Sequence, residues 1–318
     1  MKPIKLVKNR SDIGAGTRGS DMGIDAVEIA AINAGNDYFT RYKYVDLDSD
    51  NESVYNKVKA KFAKRIAFVV EQCERVSTGV KETLDQGNFP IVLSGDHSSA
   101  LGTISGIKAQ YPTKRLGVVW IDAHSDLHSP YTSPSGNVHG MPLAAALGED
   151  NIKNRVNEVY DDTRATWEKY KNIGVNGPKL LPEDLIFFGV RDTEEAEDKL
   201  REKFHIRNYM VAEMRHRGFD ACMEEAKKQL SQCDMIYISF DVDSLDCDLV
   251  SRGTGTPVSK GFDPEEVKMI IKSLLDTQKV VCLELTEVNP LLDTRGNVMA
   301  ETAFGVLNEV TEYYESLK

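Results

Sequence analysis

The chain has 318 residues, 41% of them hydrophobic and 28% charged, with 39 basic against 50 acidic side chains and a net charge of −11. Lysines and arginines are scattered among carboxylates, which excludes a nucleic-acid footprint, and the acidic balance mildly favours approach of a cationic small molecule. No run approaches the roughly 18 apolar residues that a membrane helix needs, and Met1-Lys-Pro-Ile-Lys-Leu6 lacks an apolar signal region, so the expected setting is the cytoplasm, with no membrane partner.

Strands and helical patterns alternate from end to end without a linker, a repeat or a low-complexity tract, which reads as one α/β domain over residues 1–318. Short β-branched or aromatic runs predict strands at Ile4–Val7 and Tyr44–Leu47, and helical periodicity within Val54–Gln86 reads as two helices. A strand at Ile91–Leu93 leads into Ser94-Gly-Asp-His97-Ser98, followed by a helix over Ser98–Gln110. The strand Gly117–Ile121 ends on Asp122-Ala-His124-Ser-Asp126. Side chains two apart share one face of extended chain, so this motif sets an imidazole between two carboxylates at a strand end. A Ser/Pro/Gly-rich loop then carries Ser135-Gly-Asn137-Val-His139-Gly140, and 149–183 reads as a polar surface excursion with a short helix around Thr163–Lys171.

The next strand, Leu185–Val190, runs to Arg191-Asp192, with Glu194 and Glu197 beyond it. After a helix at Phe219–Leu230, the strand Met235–Phe240 ends on Asp241-Val-Asp243, again two carboxylates at spacing two. Asp263-Pro264 supplies an N-cap and first residue for a helix through Glu265–Leu275. The last strand, Val280–Leu285, precedes Glu287, and a helix at Thr302–Leu317 follows. Most strands are continuously apolar, as in a parallel sheet covered on both faces, where loops leaving the carboxyl ends form the ligand crevice.

Three strand ends thus present His97, Asp122, His124, Asp126, Asp241 and Asp243, an oxygen-rich set without thiolate. It suits two Mn2+ ions, with Co2+, Ni2+ or Fe2+ as alternatives, better than a structural zinc. One Asp-x-His-x-Asp motif is only moderately specific, because Asp and His also cap turns. Turn capping gives no reason for the same residue types to recur at three strand ends. Two metals sharing a water lower its pKa and present hydroxide to an electrophile, the chemistry of a dinuclear hydrolase. The neighbouring loops offer acids, hydroxyls and amides where a phosphatase would need cations.

Glu287 is expected on the rim of the crevice as a partner for a planar cation such as guanidinium, and Glu284 as an outward or structural residue. His139, with an ordinary pKa of about 6.5, can deliver a proton to a departing amine. The five cysteines, Cys73, Cys222, Cys233, Cys247 and Cys282, read as reduced, packed thiols, and Cys247 as part of the loop leaving the site. His205 and His216 read as surface or packing residues.

Together with Gly14-Ala-Gly-Thr-Arg-Gly19, Gly255-Thr256-Pro257 and Glu287-Val-Asn-Pro290, these motifs resemble the ureohydrolase family along almost the whole chain, and within it the arginases. The resemblance implies a three-layer α/β/α fold, arginase/deacetylase-like, and hydrolysis of L-arginine to L-ornithine and urea by attack of a metal-bridging hydroxide. It assigns His97 and Asp126 to one manganese ion, His124 and Asp243 to the other, and Asp122 and Asp241 as bridges. Asp126 would also aim the nucleophile, His139 would shuttle the proton and Glu287 would hold the guanidinium. Ser135 and Asn137 would meet the α-carboxylate, Glu194 and Glu197 the α-amino group, and Thr256 matches an active-site threonine. A trimer or hexamer is implied by resemblance alone.

Three departures stand out. His128 takes the place of an expected Asn near the carboxylate, so recognition there must be rebuilt. Glu194 is a methylene longer than the usual Asp, and both 245–253 and 149–183 are longer than in common arginases. The alternatives are agmatinase, formimidoylglutamase or another guanidino-acid hydrolase, and a metal-stabilised binding protein that has lost catalysis. The complete ligand set and the retained His139 argue against the last.

Overall fold

A computed structural model describes residues 1–317. Eight strands, β1 (Ile4–Asn9), β2 (Lys43–Leu47), β3 (Phe89–Ser94), β4 (Leu116–Ile121), β5 (Leu185–Phe188), β6 (Arg207–Tyr209), β7 (Met235–Asp241) and β8 (Val280–Thr286), form one sheet in the order β2-β1-β3-β8-β7-β4-β5-β6. Every pairing is parallel. Alternate side chains divide between two cores. Leu6, Ile91, Leu93, Val119, Ile121, Ile236, Ile238 and Leu285 enter one, while Val7, Val92, Val118, Trp120, Tyr237 and Cys282 enter the other. The continuous apolarity of these strands is thus the signature of burial on both faces.

Helices cover each face. Against the first core lie α1 (Gly23–Asn33), α2 (Tyr38–Arg41), α8 (Val211–Arg217), α9 (Phe219–Gln229), α10 (Pro264–Leu275) and α11 (Val298–Ser316). Against the second lie α3 (Ile66–Asp85), α4 (Ala100–Gln110), α5 (Pro142–Leu147), α6 (Asp161–Lys171) and α7 (Glu195–Phe204). The three-layer α/β/α expectation is met. Asp263 caps α10 as its sequence requires, accepting from the Glu265 N–H at 2.9 Å while Glu266 accepts from the Asp263 N–H at 2.8 Å.

Differences from the expected elements have local causes. Within Val54–Gln86 there is one long helix, α3, after a short 3-10 turn at Asn51–Tyr55. The chain enters α3 through Arg65 in the left-handed region, φ 56°, a conformation that helical periodicity does not reveal. β5 stops at Phe188 because Gly189, φ 90°, turns the chain. β6 is a three-residue edge strand without an apolar run. The charged helix α7 announces itself only through its capping box, Glu194 with Glu197.

The stretch 149–183 is not confined to the surface. Its helix α6 buries Trp167 and Tyr170 completely. Trp167 Nε1 donates to Asp150 Oδ1 at 2.7 Å, and the Tyr170 hydroxyl reaches the Ser98 carbonyl at 2.8 Å, just past β3. All five cysteines are buried and free. Among the described residues no helix is long and apolar enough to cross a membrane.

Candidate active site

The four central strands, β3, β8, β7 and β4, deliver the site from their carboxyl ends. His97 follows β3 in a turn that Asp96 caps, its carboxylate accepting from the Ser98 N–H at 2.8 Å and from the Gly14 N–H at 2.9 Å. Asp122, His124 and Asp126 follow β4, Asp241 ends β7 and Asp243 follows it. All six expected ligands line one cavity of about 270 Å³ with His128, Ser135, Asn137, His139, Glu194, Glu197 and Thr256.

His97 Nδ1 lies 3.0 Å from Asp122 Oδ2, 3.2 Å from Asp126 Oδ2 and 3.1 Å from Asp241 Oδ2. Its other nitrogen, Nε2, is 2.7 Å from Ser239 Oγ. A Nε2–H donated to Ser239 leaves a lone pair on Nδ1, directed into three carboxylates, which is the tautomer a metal ligand needs. Nδ1 and Asp122 Oδ2 are buried without a hydrogen-bond partner despite their proximity, so both converge on a common point instead of on each other. The His97 ring is fixed by stacking on Trp120 at 3.9 Å.

A second cluster forms on the other side of Asp122. His124 Nδ1 is 2.9 Å from Asp243 Oδ2 and 3.5 Å from Asp122 Oδ1. Thr256 Oγ1 donates to Asp243 Oδ2 at 3.0 Å. Two ligand groups, His97–Asp122–Asp126 and Asp122–His124–Asp243, therefore share Asp122. Burial raises the pKa of Asp241 and Asp243, and their neighbouring carboxylates add to it; Asp126 is pushed up to about 6 for the same reasons. Four carboxylates so buried repel one another, and divalent cations are what this donor set would neutralise best.

Asp126, φ 50°, and Glu287, φ 68°, both occupy left-handed backbone that costs a non-glycine residue about 1–3 kcal/mol. The loops hold them there against local preference. Glu287, expected on the rim, is instead buried and does not line the cavity; it stands behind His139. Its Oε1 accepts from the His97 N–H at 2.9 Å and lies 3.3 Å from His139 Nδ1. Burial opposes charge on the His139 ring, but the hydrogen bond and charge of Glu287 outweigh it and push its pKa up to about 9.

At the far end, His128 Nε2 lies 2.8 Å from Glu194 Oε2 and 3.3 Å from Glu197 Oε2, and its Nδ1 is 3.1 Å from Thr132 Oγ1. Glu197 is committed to the scaffold, accepting from Ser125 Oγ at 2.7 Å and from the Leu127 and Glu194 N–H groups. Cys247 packs against Ser259 and Asp248, away from the metal ligands.

Sequence reasoning overlooked Asp96, Ser239 and Trp120. Ser239 was within reach, since it precedes Asp241 by two on β7 and so shares its face. Glu284 is structural and wholly buried, its carboxylate taking hydrogen bonds from Ser94 Oγ at 2.8 Å and the Tyr237 hydroxyl at 2.6 Å.

A profile of the arginase family matches residues 4–311. The arginase of Bacillus caldovelox is 33% identical over 98% of each chain, and that of Bacillus subtilis (strain 168) is 33% identical over 95% of each. The native structure of the Bacillus caldovelox arginase superposes with a TM-score of 0.82, covering 100% of both chains. A formimidoylglutamase structure from Bacillus subtilis, 18% identical, shares the fold with a TM-score of 0.75 over 99% of this chain and 88% of that one.

Proposed function

The chain belongs to the arginase family, and from that premise we propose that it hydrolyses L-arginine to L-ornithine and urea. The observation carrying this reading is the single cavity that joins both His–Asp clusters to His139 and to the Ser135–Asn137 loop. Two divalent cations, manganese by preference, held by His97, Asp122, His124, Asp126, Asp241 and Asp243, would acidify a shared water and supply the nucleophile.

The protein's own groups do the rest. Asp126, fixed in left-handed backbone, accepts the nucleophile's hydrogen bond and aims it at the guanidinium carbon. Glu287, expected to hold the guanidinium, acts on it through His139: its Oε1 is held by the His97 N–H and lies 3.3 Å from the His139 ring. His139, kept protonated beside Glu287, gives its proton to the nitrogen that departs with ornithine. Thr256 holds Asp243 in place. Ser135 and Asn137 receive the α-carboxylate, and Glu194 meets the α-amino group, positioned by His128 and by Glu197 behind it. Assembly as a trimer or hexamer and a cytoplasmic location belong to the same proposal.

One observation favours a second reading, a hydrolase of agmatine, formimidoylglutamate or another guanidino acid. Glu194, expected to meet an α-ammonium, already has His128 as partner. Incubating manganese-loaded protein with arginine, agmatine and formimidoylglutamate separates the two. Urea from arginine supports the first reading, whereas product from another substrate with none from arginine overturns it.

A further inference from the structure

Seven carboxylates and no lysine or arginine line the cavity, so a substrate carboxylate at its mouth needs a compensating positive charge. His128 does not supply it to a carboxylate, because its Nε2 is held by Glu194 and Glu197. Outside the cavity, Lys57, Lys59, Lys61, Lys64 and Arg65 form a basic run in an otherwise acidic chain. The end of that run, Lys64 and Arg65, is tied to the loops around the site. The Lys64 N–H donates to the Gly136 carbonyl at 2.7 Å. Gly136, φ 73°, admits this contact only as glycine, since an added Cβ would lie 2.1 Å from the Lys61 carbonyl oxygen. Arg65 donates from Nε to the Ile13 carbonyl at 2.8 Å and from Nη2 to that of Ala15 at 3.2 Å. Residues 61–65 thereby tie loop 13–16 to loop 135–137.

This anchoring sets the Lys64 ammonium 3.2 Å from Asn137 Oδ1, with no acidic partner among the described residues. A cation on Oδ1 makes Nδ2 the free donor end of the Asn137 amide. Nδ2 lies against exposed Gly16, where an added Cβ would come within 2.5 Å of it. Ser135 Oγ accepts from the Asn137 N–H at 3.1 Å, which leaves its hydroxyl proton for a ligand.

We infer that Lys64 is the positioning residue that makes the mouth of the cavity select substrates with a carboxylate opposite the guanidinium, acting through Asn137 and by its charge. The inference deepens the arginine-hydrolase proposal and rests on it for the placement of the carboxylate at Ser135–Asn137. A hydrogen bond to a charged group corresponds to a factor of about 10–100 in affinity.

The test is calorimetry of manganese-loaded wild type, Lys64→Met and Lys64→Arg with L-ornithine and with putrescine, which lacks the carboxylate, alongside arginine kinetics. Lys64→Met is expected to weaken ornithine at least about tenfold while moving putrescine less than about twofold. The same variant should raise KM for arginine with kcat little changed, and Lys64→Arg should restore most of the ornithine affinity. Equal weakening of both ligands, which marks mere loop damage, or unchanged ornithine affinity would overturn the inference. So would a wild type that binds both ligands equally. Absence of urea from arginine in a wild type that still prefers ornithine would count against the arginase reading alone.

Discussion

His139 and Glu287 form the pair on which proton delivery depends, and their electrostatics are measurable without metal. In the metal-free protein the His139 ring should titrate near pH 9, because the Glu287 carboxylate lies 3.3 Å away. Glu287→Gln removes the hydrogen bond and charge that raise the ring's pKa most, leaving Asp126 and Asp96 against burial, so the NMR titration should move well below 9. The folded-state pKa is raised above the unfolded value. The pair's contribution to stability is therefore complete below pH 6.5 and is lost as the pH climbs through about 9. A ring that titrates identically in the variant would detach His139 from Glu287. In the loaded enzyme, His139→Asn should lower kcat by a factor of about 100 or more, the usual worth of a general acid. The six candidate ligands were legible in the sequence because each follows an apolar run, Asp122, His124 and Asp126 and likewise Asp241 and Asp243 at spacing two. The burial of Glu287 and the backbone strain at it and at Asp126 were not, since φ is imposed by loops far apart in the chain.

Among the elements, 149–183 gains a purpose that its polarity hid. The Asn157 side chain donates to the Pro130 carbonyl at 3.0 Å and to that of Ser133 at 2.7 Å, and the Val156 N–H donates to the Tyr131 carbonyl at 2.9 Å. Ser129 Oγ reaches the Asp150 carbonyl at 2.6 Å. The segment thus braces the loop between His128 and Ser135 from behind. Asn157→Ala should raise KM for arginine several-fold and lower stability by about 1–2 kcal/mol, two hydrogen bonds' worth. Michaelis kinetics and a denaturant titration check this, and an unchanged KM would separate the brace from substrate binding. Periodicity located α9, α10 and most of α11 because each buries one stripe, while α4 was read although Ala100–Ile107 is buried all round. It overlooked α7, whose sequence is dominated by charge, and read as helix the 56–65 segment, which is irregular because its contacts with Gly136 and with loop 13–16 are fixed by backbone and glycine geometry.

For the whole molecule, the sheet order gathers candidate ligands separated by nearly 150 residues of sequence onto three strand ends, β3, β7 and β4, with β8 and Glu287 between β3 and β7. The inner strands could be read because burial on both faces leaves little but apolar residues in them; of the edge strands, β2 was read from its β-branched and aromatic residues and β6 lacked that mark. The site rests on the convergence of four buried carboxylates and two imidazoles, with His97 Nδ1 and Asp122 Oδ2 left without a hydrogen-bond partner. Anomalous diffraction at the manganese edge from crystals grown with Mn2+ tests this directly. Two peaks are expected, one beside His97 and Asp126, the other beside His124 and Asp243, with Asp122 and Asp241 reaching both. A single peak, or none at these side chains, would contradict it.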